Sequence, residues 1–202
     1  MSTRSNHRPA RHVAADTVAA GDWLRLETIR YQDEEQRDRT WEAACRQTAG
    51  GAVVIIARLL PSNRYVFVKQ YRPPAKQYVI EFPAGLIDPG ESVQSAAHRE
   101  MLEETGYTGQ LVRVTEPAYS SPGLSGEYSR LVLMDIDERR EDNRDPRQNV
   151  DEGEQISVHT IPADDCPDFL RKQTEEGVAL DSKVLTFFLG RTQSAAASDA
   201  CR

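Results

Sequence analysis

GLIDPGESVQSAAHREMLEETGY, the stretch from Gly85 to Tyr107, constrains the fold more than any other part of the sequence. Ser92 is a residue type that caps helix N-termini, and the residues that follow it up to Glu104 include no Gly or Pro. Gly106 is the residue type that ends helices in a left-handed conformation. The stretch therefore predicts a loop followed by a helix over residues 93–104.

The predicted helix carries Glu100, Glu103 and Glu104 at positions i, i+3 and i+4, so their side chains share one face. Like charges at this spacing cost about 0.2–0.5 kcal/mol per pair, and carboxylates in the last turn oppose the helix dipole by about 0.3–1 kcal/mol each. The neighbouring cation, Arg99, does not neutralise all three. Two interpretations stay open from these residues alone: a solvated acidic face, or a site for a divalent cation such as Mg²⁺, which prefers oxygen ligands.

The wider segment has a fixed spacing of Gly, five residues, Glu, seven residues, Arg-Glu, an apolar residue, any residue, Glu-Glu, any residue and Gly. The residues at these positions are Gly85, Glu91, Arg99, Glu100, Met101, Glu103, Glu104 and Gly106. Seven fixed positions match by chance with a probability on the order of 10⁻⁸ per starting point. The segment resembles the Nudix box of hydrolases that act on nucleoside diphosphate derivatives. Tyr107 departs from that box, being aromatic where an aliphatic residue is usual.

Composition narrows the class of protein. The chain has 202 residues and a net charge of −7, which disfavours a nucleic-acid partner because phosphate binding needs a basic surface. No apolar run approaches the roughly 18 residues of a membrane span, and no signal-peptide core is present. We therefore expect a cytoplasmic protein with no membrane partner. Its three cysteines have no metal-binding spacing and are interpreted as reduced thiols.

Apolar and alternating runs divide the chain into strands and helices. Strands are predicted for WLRLETIRY, RTWEAACRQT, AVVIIARLL, YVFVKQY, YVIEF, LVRVTE, RLVLMDI and QISVHTI, beginning at residues 23, 39, 52, 65, 78, 111, 130 and 155. Two more helices are expected near 168–176 and 181–189. We expect disordered tails over 1–15 and 192–202, a β-hairpin within 16–50, and a main domain over 51–191.

Strands on both sides of a central helix, followed by two further helices, predict an α/β fold in which helices cover a mixed sheet. The Nudix resemblance implies the same architecture, an α/β/α sandwich. It also implies that the preceding N-terminal hairpin is a dimerisation element, so that the chain would form a homodimer.

Three features that lie wholly or partly outside the box resemble the ADP-ribose pyrophosphatase branch, also called ADP-sugar pyrophosphatases. They are YRPPAKQYVIEFPAGLIDPGE from Tyr71, RTWEAACR from Arg39, and Pro122, sixteen residues after Gly106. This resemblance implies a Mg²⁺-dependent enzyme that splits ADP-ribose into AMP and ribose 5-phosphate. A hydrolase of another nucleoside diphosphate derivative, such as a GDP-sugar or an oxidised nucleotide, is the first alternative. A non-catalytic nucleotide-sensing module is the second.

The resemblance assigns roles to matching positions. The metal ion, Mg²⁺ with Mn²⁺ as a substitute, would be held by the carbonyl of Ala84 and by Glu100, Glu103 and Glu104. Gly85 and Glu91 would support the loop, and Arg99 would orient the glutamates.

The general base is assigned to Glu154, with Glu103 and Arg99 as further catalytic residues. Glu154 ends a segment crowded with acids, so a solvated acid is the other interpretation of that residue.

The same resemblance places the substrate. Trp23 and Trp41 would stack on adenine from two different subunits, and Glu42 would accept a hydrogen bond from its amine. Arg46 and Arg72 would contact the phosphates. The alternative for both tryptophans is a core or interface position. The predicted substrate-binding set is Trp23, Trp41, Glu42, Arg46, Arg72 and Pro122.

Overall fold

A computed structural model describes residues 8–48, 50–150 and 155–199. The chain divides into two compact units. The first consists of Met1–Gly51 and Ala118–Ser129, and the second consists of Ala52–Pro117 and Arg130–Arg202. No helix within the described ranges is long and apolar enough to cross a membrane.

The first unit contains a three-stranded antiparallel sheet. Its strands are β1 (Arg11–Ala20), β2 (Leu24–Gln32) and β3 (Asp38–Arg46), in the order β1-β2-β3. The β2–β3 hairpin is in continuous register from Leu24 opposite Arg46 to Gln32 opposite Asp38. Its turn is held by the Asp33 carboxylate, which accepts the backbone N–H groups of Glu35 and Arg37 at 3.0 and 2.9 Å. The polar turn after Tyr31 therefore closes the hairpin that the sequence predicts.

The strand β1 includes residues for which a disordered tail is predicted. It begins at Arg11, so residues 11–15, which we expected in a disordered tail, form a strand. Almost all of its residues are exposed, and it pairs with β2 through a register that shifts twice. Because no face of β1 is buried, its sequence has no apolar alternation to indicate a strand.

The second unit is built on a mixed sheet. Its strands are β4 (Ala52–Leu60), β5 (Arg64–Arg72), β6 (Gln77–Glu81), β7 (Ala84–Leu86), β8 (Gln110–Val114), β10 (Tyr128–Asp137), β11 (Ile156–Pro162) and β12 (Ala179–Leu180). The first two residues of β10, Tyr128 and Ser129, belong to the first unit and pair there with the short β9 (Ala118–Tyr119). The strand order in the sheet is β12-β6-β5-β4-β10-β8, and in addition β11 pairs with β5 and β7 pairs with β4. The β12–β6 pair is parallel, whereas β5–β6, β5–β11 and β8–β10 are antiparallel.

Helices cover both faces of this sheet. The helix α1 (Val93–Thr105) buries Ala96, Ala97 and Met101 against one face. The helices α2 (Cys166–Glu175) and α3 (Ser182–Asp199) lie over the other face, where Phe67 and Phe188 belong to the second apolar cluster. Successive residues of β4 face opposite clusters, which explains its continuous apolar sequence. The predicted α/β/α sandwich with a mixed sheet is confirmed.

Helix ends were predictable to different degrees. The helix α1 has the predicted caps and extends one residue beyond the predicted end, to Thr105: the Ser92 hydroxyl accepts the Ser95 N–H at 3.1 Å, and Gly106 adopts φ 76°. The helix α2 starts two residues before Asp168, with Pro167 in its first turn. The backbone of α3 continues to Asp199, through residues that we expected to be a disordered tail.

Candidate active site

The strand β7 and the helix α1 meet at Gly85. The pairing of β7 with β4 places Gly85 opposite Val53. A Cβ atom on Gly85 would lie 1.9 Å from the Glu100 Cδ and 2.0 Å from its Oε1. The Glu100 carboxylate therefore lies directly against the strand backbone, and only glycine leaves room for it.

Arg99 connects three carboxylates. Its Nη1 donates to Glu100 Oε1 at 2.7 Å and to Glu103 Oε2 at 3.1 Å. Its Nε and Nη2 donate to the two oxygens of Glu91 at 3.1 and 2.9 Å, and Nη2 also donates to the Leu86 carbonyl at 2.9 Å. The guanidinium thus joins the loop after β7 to the acidic face of α1.

The pKa values reflect this arrangement. The hydrogen bonds from Arg99 lower the pKa of Glu91 from its ordinary value of 4.5. The pKa of Arg99 is raised, first by its bond to Glu91, although burial opposes the rise. Both groups are therefore ionised at neutral pH.

Glu104 is the buried member of the acidic set. Glu104 is only 6% exposed, and its Oε2 accepts a hydrogen bond from the backbone N–H of Ala84 at 3.0 Å. This bond ties the last turn of α1 to the first residue of β7. Ala84 therefore contacts the acidic helix through its N–H group.

The donor set around α1 fits a hard divalent cation in charge and chemistry. The guanidinium of Arg99 binds the carboxylates of Glu91, Glu100 and Glu103, and a fourth carboxylate, that of Glu104, accepts the Ala84 N–H. All their ligand atoms are oxygens, the type that Mg²⁺ prefers. Among residues 8–48, 50–150 and 155–199, no group of three Asp, Glu, His or Cys side chains is arranged to hold a metal ion.

The oxygens of these glutamates have hydrogen-bond partners within the protein. Arg99 holds Glu100 and Glu103, and the Ala84 N–H holds Glu104. Helical spacing predicts that the three glutamates share a face, but it does not predict which donors their oxygens bind.

Arg72 lies at the end of β5 and is oriented by Glu81. Its Nε donates to both oxygens of Glu81 at 3.0 and 3.1 Å, and its Nη2 donates at 2.5 Å. Gln70 also donates to Glu81, at 3.0 Å. The pKa of Arg72 is raised mainly by Glu81, with a smaller contribution from Glu104. The predicted phosphate-binding arginine is therefore within electrostatic range of the acidic helix.

Glu81 is a site residue that the sequence patterns do not single out. The residue lies in the otherwise apolar strand β6, and its side chain is only 13% exposed. A single acid in an apolar strand beside the Pro-Ala-Gly segment was the signal that could have identified it.

In the first unit, the loop that carries Pro122 is bonded to β3. The Trp41 Nε1 donates to the Gly123 carbonyl at 2.9 Å, and the Ala44 N–H donates to the Leu124 carbonyl at the same distance. Arg46 forms an ion pair with Glu127. The structure thus brings Trp41, Arg46 and the Pro122 loop together.

The two tryptophans are exposed. Trp23 is 81% exposed and Trp41 is 51% exposed, so neither belongs to a core of this chain. Glu42, next to Trp41, is exposed too. Glu154, the predicted base, lies outside the described residues.

Comparisons with known proteins agree with this architecture. The NUDIX domain family model matches residues 49–180. An uncharacterized Nudix hydrolase of Schizosaccharomyces pombe is 38% identical over 174 residues, which cover 83% of this chain and 85% of that protein. The ADP-ribose pyrophosphatase of Saccharomyces cerevisiae is 32% identical, covering 87% of this chain and 78% of its own.

Two further similarities extend over most of the chain. The ADP-sugar pyrophosphatase of Mus musculus is 32% identical and covers 94% of this chain and 92% of its own length. The crystal structure of an ADP compounds hydrolase superposes with a TM-score of 0.66 at 24% identity, covering 82% of this chain and 84% of that one. The similarity to the ADP compounds hydrolase supports the fold only.

Proposed function

This chain belongs to the NUDIX domain family, and from that premise we propose that it is a pyrophosphatase that hydrolyses ADP-ribose, and related ADP-sugars, to AMP and ribose 5-phosphate. The observation that carries the proposal is the acidic helix α1 fixed against β7, where Gly85 leaves space for Glu100 and Ala84 binds Glu104. The names of the yeast and mouse relatives support the choice of substrate.

Nudix hydrolases generally need a divalent metal ion. We propose Mg²⁺, with Mn²⁺ as a substitute, held by the Ala84 carbonyl and by Glu100, Glu103 and Glu104. When bound, the ion would neutralise pyrophosphate charge and lower the pKa of a water molecule. The four carboxylates and one arginine of the site support this charge requirement.

The protein's own residues have separate tasks in this reaction. A water oxygen attacks one phosphorus, the bridging P–O bond breaks, and AMP and ribose 5-phosphate leave. Glu154 or Glu103 would accept the proton of the attacking water. Arg99 keeps the glutamates in place, and Arg72, held by Glu81, would bind a phosphate oxygen. Glu91 would fix Arg99 from the loop side.

The residues of the first unit would select the adenine base of the substrate. The exposed faces of Trp23 and Trp41 support stacking on adenine, and Glu42 would accept a hydrogen bond from the adenine amine. Arg46 would contact phosphate after exchanging its partner Glu127, and Pro122 would shape the loop beside Trp41.

We also propose a cytoplasmic homodimer formed through the N-terminal sheet. Exposed apolar side chains support the dimer: Val13, Val18, Leu24, Leu26 and Trp41 on this sheet, and Trp23 in the connection between its first two strands. Sedimentation at micromolar concentration should give twice the chain mass of 22.7 kDa. A single species at the chain mass would contradict the dimer.

The decisive experiment for the activity incubates the purified chain with ADP-ribose and Mg²⁺ and measures AMP. A Glu104→Gln variant, which loses the buried carboxylate, should lose at least two orders of magnitude in kcat, as roughly expected when catalytic geometry is lost. Wild-type protein that releases no AMP would refute ADP-ribose as substrate.

A panel with a GDP-sugar and an oxidised nucleotide tests the first alternative, through values of kcat/KM. Nucleotide binding without any turnover in wild type would instead favour a nucleotide-sensing module, whereas full turnover by Glu104→Gln would contradict the role proposed for Glu104.

A further inference from the structure

The last turn of α1 ends in backbone carbonyls that the helix itself leaves without partners. Leu102 is satisfied locally, because its carbonyl accepts the Gly106 N–H at 2.8 Å. The next two carbonyls belong to Glu103 and Glu104, whose side chains form the acidic face. Their hydrogen bonds come from elsewhere in the chain.

Two consecutive residues, Gln148 and Asn149, supply those bonds. The Gln148 Nε2 donates to the Glu104 carbonyl at 2.6 Å, and the Asn149 backbone N–H donates to the Glu103 carbonyl at 2.9 Å. The same Gln148 Nε2 also donates to the Ile156 carbonyl at 3.0 Å. Ile156 is the first residue of β11, which pairs with β5 over seven residues. Both hydrogens of one carboxamide therefore connect the end of α1 to the sheet.

The segment before Gln148 is held closely against the helix end. A Cβ atom on Gly106 would lie 2.3 Å from the Arg147 backbone N, so the chain crosses directly over the C-cap. The start of the segment is fixed by Asn143, which is 4% exposed. Its Nδ2 donates to the carbonyls of Thr108 and Asp137 at 2.9 and 3.0 Å, and its Oδ1 accepts the Thr108 N–H at 2.9 Å.

We infer that Gln148 is a positioning residue for the acidic face: its carboxamide fixes the last turn of α1 and thereby the carboxylates of Glu103 and Glu104. This inference rests on the proposed metal-dependent function of those glutamates. Helix ends fray when their carbonyls lose partners. A frayed last turn would move both carboxylates relative to Ala84 and Arg99, while the rest of the fold stayed intact.

The test replaces Gln148 with Glu, which has the same shape but no hydrogens to donate at neutral pH. We expect the half-saturating Mg²⁺ concentration to rise by about three- to tenfold, the range of a lost hydrogen bond. The value of kcat should fall, while KM for ADP-ribose changes less than twofold. Hydrogen exchange should accelerate at the amides of the last turn of α1.

The matched control is Arg147→Ala, which changes the net charge by the same −1 on the neighbouring residue. The Arg147 side chain is 85% exposed and pairs only with the exposed Asp145 among the bonds in the described ranges. We expect its Mg²⁺ and exchange profiles to match those of wild type. Gln148→Asn, which keeps the amide but is one methylene shorter, serves as a second variant if Gln148→Glu folds poorly.

Calorimetric titration with Mg²⁺ alone separates this inference from the activity. If wild type does not cleave ADP-ribose but binds Mg²⁺ more tightly than Gln148→Glu, the proposed substrate is wrong and the positioning role holds. The role is refuted if Gln148→Glu lowers Tm yet keeps Mg²⁺ affinity and exchange within twofold of Arg147→Ala. Wild type that binds no Mg²⁺ refutes both.

Discussion

Gly85 is a residue whose identity is decided by space. The Glu100 carboxylate occupies the space that a Cβ on residue 85 would need, because such a Cβ would lie 1.9 Å from the Glu100 Cδ. Gly85→Ala should therefore move Glu100 and lower kcat by about two orders of magnitude, the effect of a displacement of roughly 1 Å at a reacting centre. Steady-state kinetics with circular dichroism would measure both activity and fold.

Gly126→Ala is the control for this substitution. A Cβ there would meet no atom within 4 Å, and we expect wild-type activity. Near-normal turnover of Gly85→Ala would mean that the close approach of Glu100 to β7 does not matter for catalysis.

Arg99 makes stability depend on pH. It lowers the pKa of Glu91, so the pair stabilises the fold above the unfolded pKa of Glu91, and this contribution is lost as pH falls through the lowered value. The free energy of unfolding lost in Arg99→Met should therefore be largest near pH 7 and should shrink as pH falls below 4.5, the ordinary value for Glu91. Urea unfolding at several pH values measures the difference.

Arg171→Met is the matched comparison, because Arg171 pairs with Asp168 and Glu175 on the solvent-exposed face of α2. Solvent screens exposed pairs of this kind, so its effect should stay small at every pH. Parallel pH curves for Arg99→Met and wild type would contradict the assigned role of Arg99.

Residues of the acidic helix were predictable because their spacing alone puts them on one face. Glu81 was not, because its role arises only when β5 and β6 pair and bring Arg72 beside it. The hydrogen-bond partners of Glu104 and Gln148 could not be predicted from the sequence either, because these bonds also arise only in the folded chain. The bond from Ala84 to Glu104 and the bond from Gln148 to the Glu104 carbonyl join residues twenty or more positions apart.

Among the helices and strands, those with start and end signals in their own residues were predictable from the sequence, and those that form only by pairing with distant strands were not. The helix α1 was predictable because Ser92 and Gly106 terminate it with their own side-chain and backbone preferences. The strand β7 was not, because Pro-Ala-Gly is a turn-like sequence that becomes a strand only by pairing with β4. The end of α3 includes Ala195, Ala196 and Ala197, which favour helices although we interpreted them as a tail.

The N-cap of α1 gives a prediction at this scale. Ser92→Ala removes the hydroxyl that accepts the Ser95 N–H, and it should lower the free energy of unfolding by about 1 kcal/mol. Ser92→Asp, which retains an acceptor, should stay within a few tenths of a kcal/mol of wild type. Thermal unfolding in the absence of metal measures both. Equal losses for the two variants would show that the cap bond is not the cause.

The whole molecule carries a net charge of −7, and its proposed substrate is also an anion. A divalent cation would reduce that repulsion and would bind only the folded acidic face. A Mg²⁺ concentration 100 times Kd should therefore stabilise the wild type by about 2.7 kcal/mol, which raises Tm by roughly 5–10 °C for a chain of this size.

The double variant Glu100→Gln/Glu104→Gln should lose this rise in Tm. The charge-matched control is Asp168→Asn/Glu175→Gln on the exposed surface of α2, and it should keep the full rise. Chelation of the metal should return the wild type to its lower Tm and stop hydrolysis. A Tm that does not respond to Mg²⁺ would contradict metal binding by this face.

The fold class was predictable at the whole-molecule scale because apolar strands buried on both faces need helices on both sides. The division into two units was less accessible to the sequence. Residues 118–129 return to the first unit although they lie far along the chain, and only contacts such as that from Trp41 to Gly123 reveal it.

Arg99 has a further consequence for the life of the protein in the cell. Because its guanidinium already binds Glu91, Glu100 and Glu103 and offsets part of their mutual repulsion, the newly synthesised chain can complete its acidic helix before any metal ion arrives. Scarcity of the ion would then silence existing molecules without sending them to degradation. The cell could restore turnover at once when the ion returned, with no new synthesis.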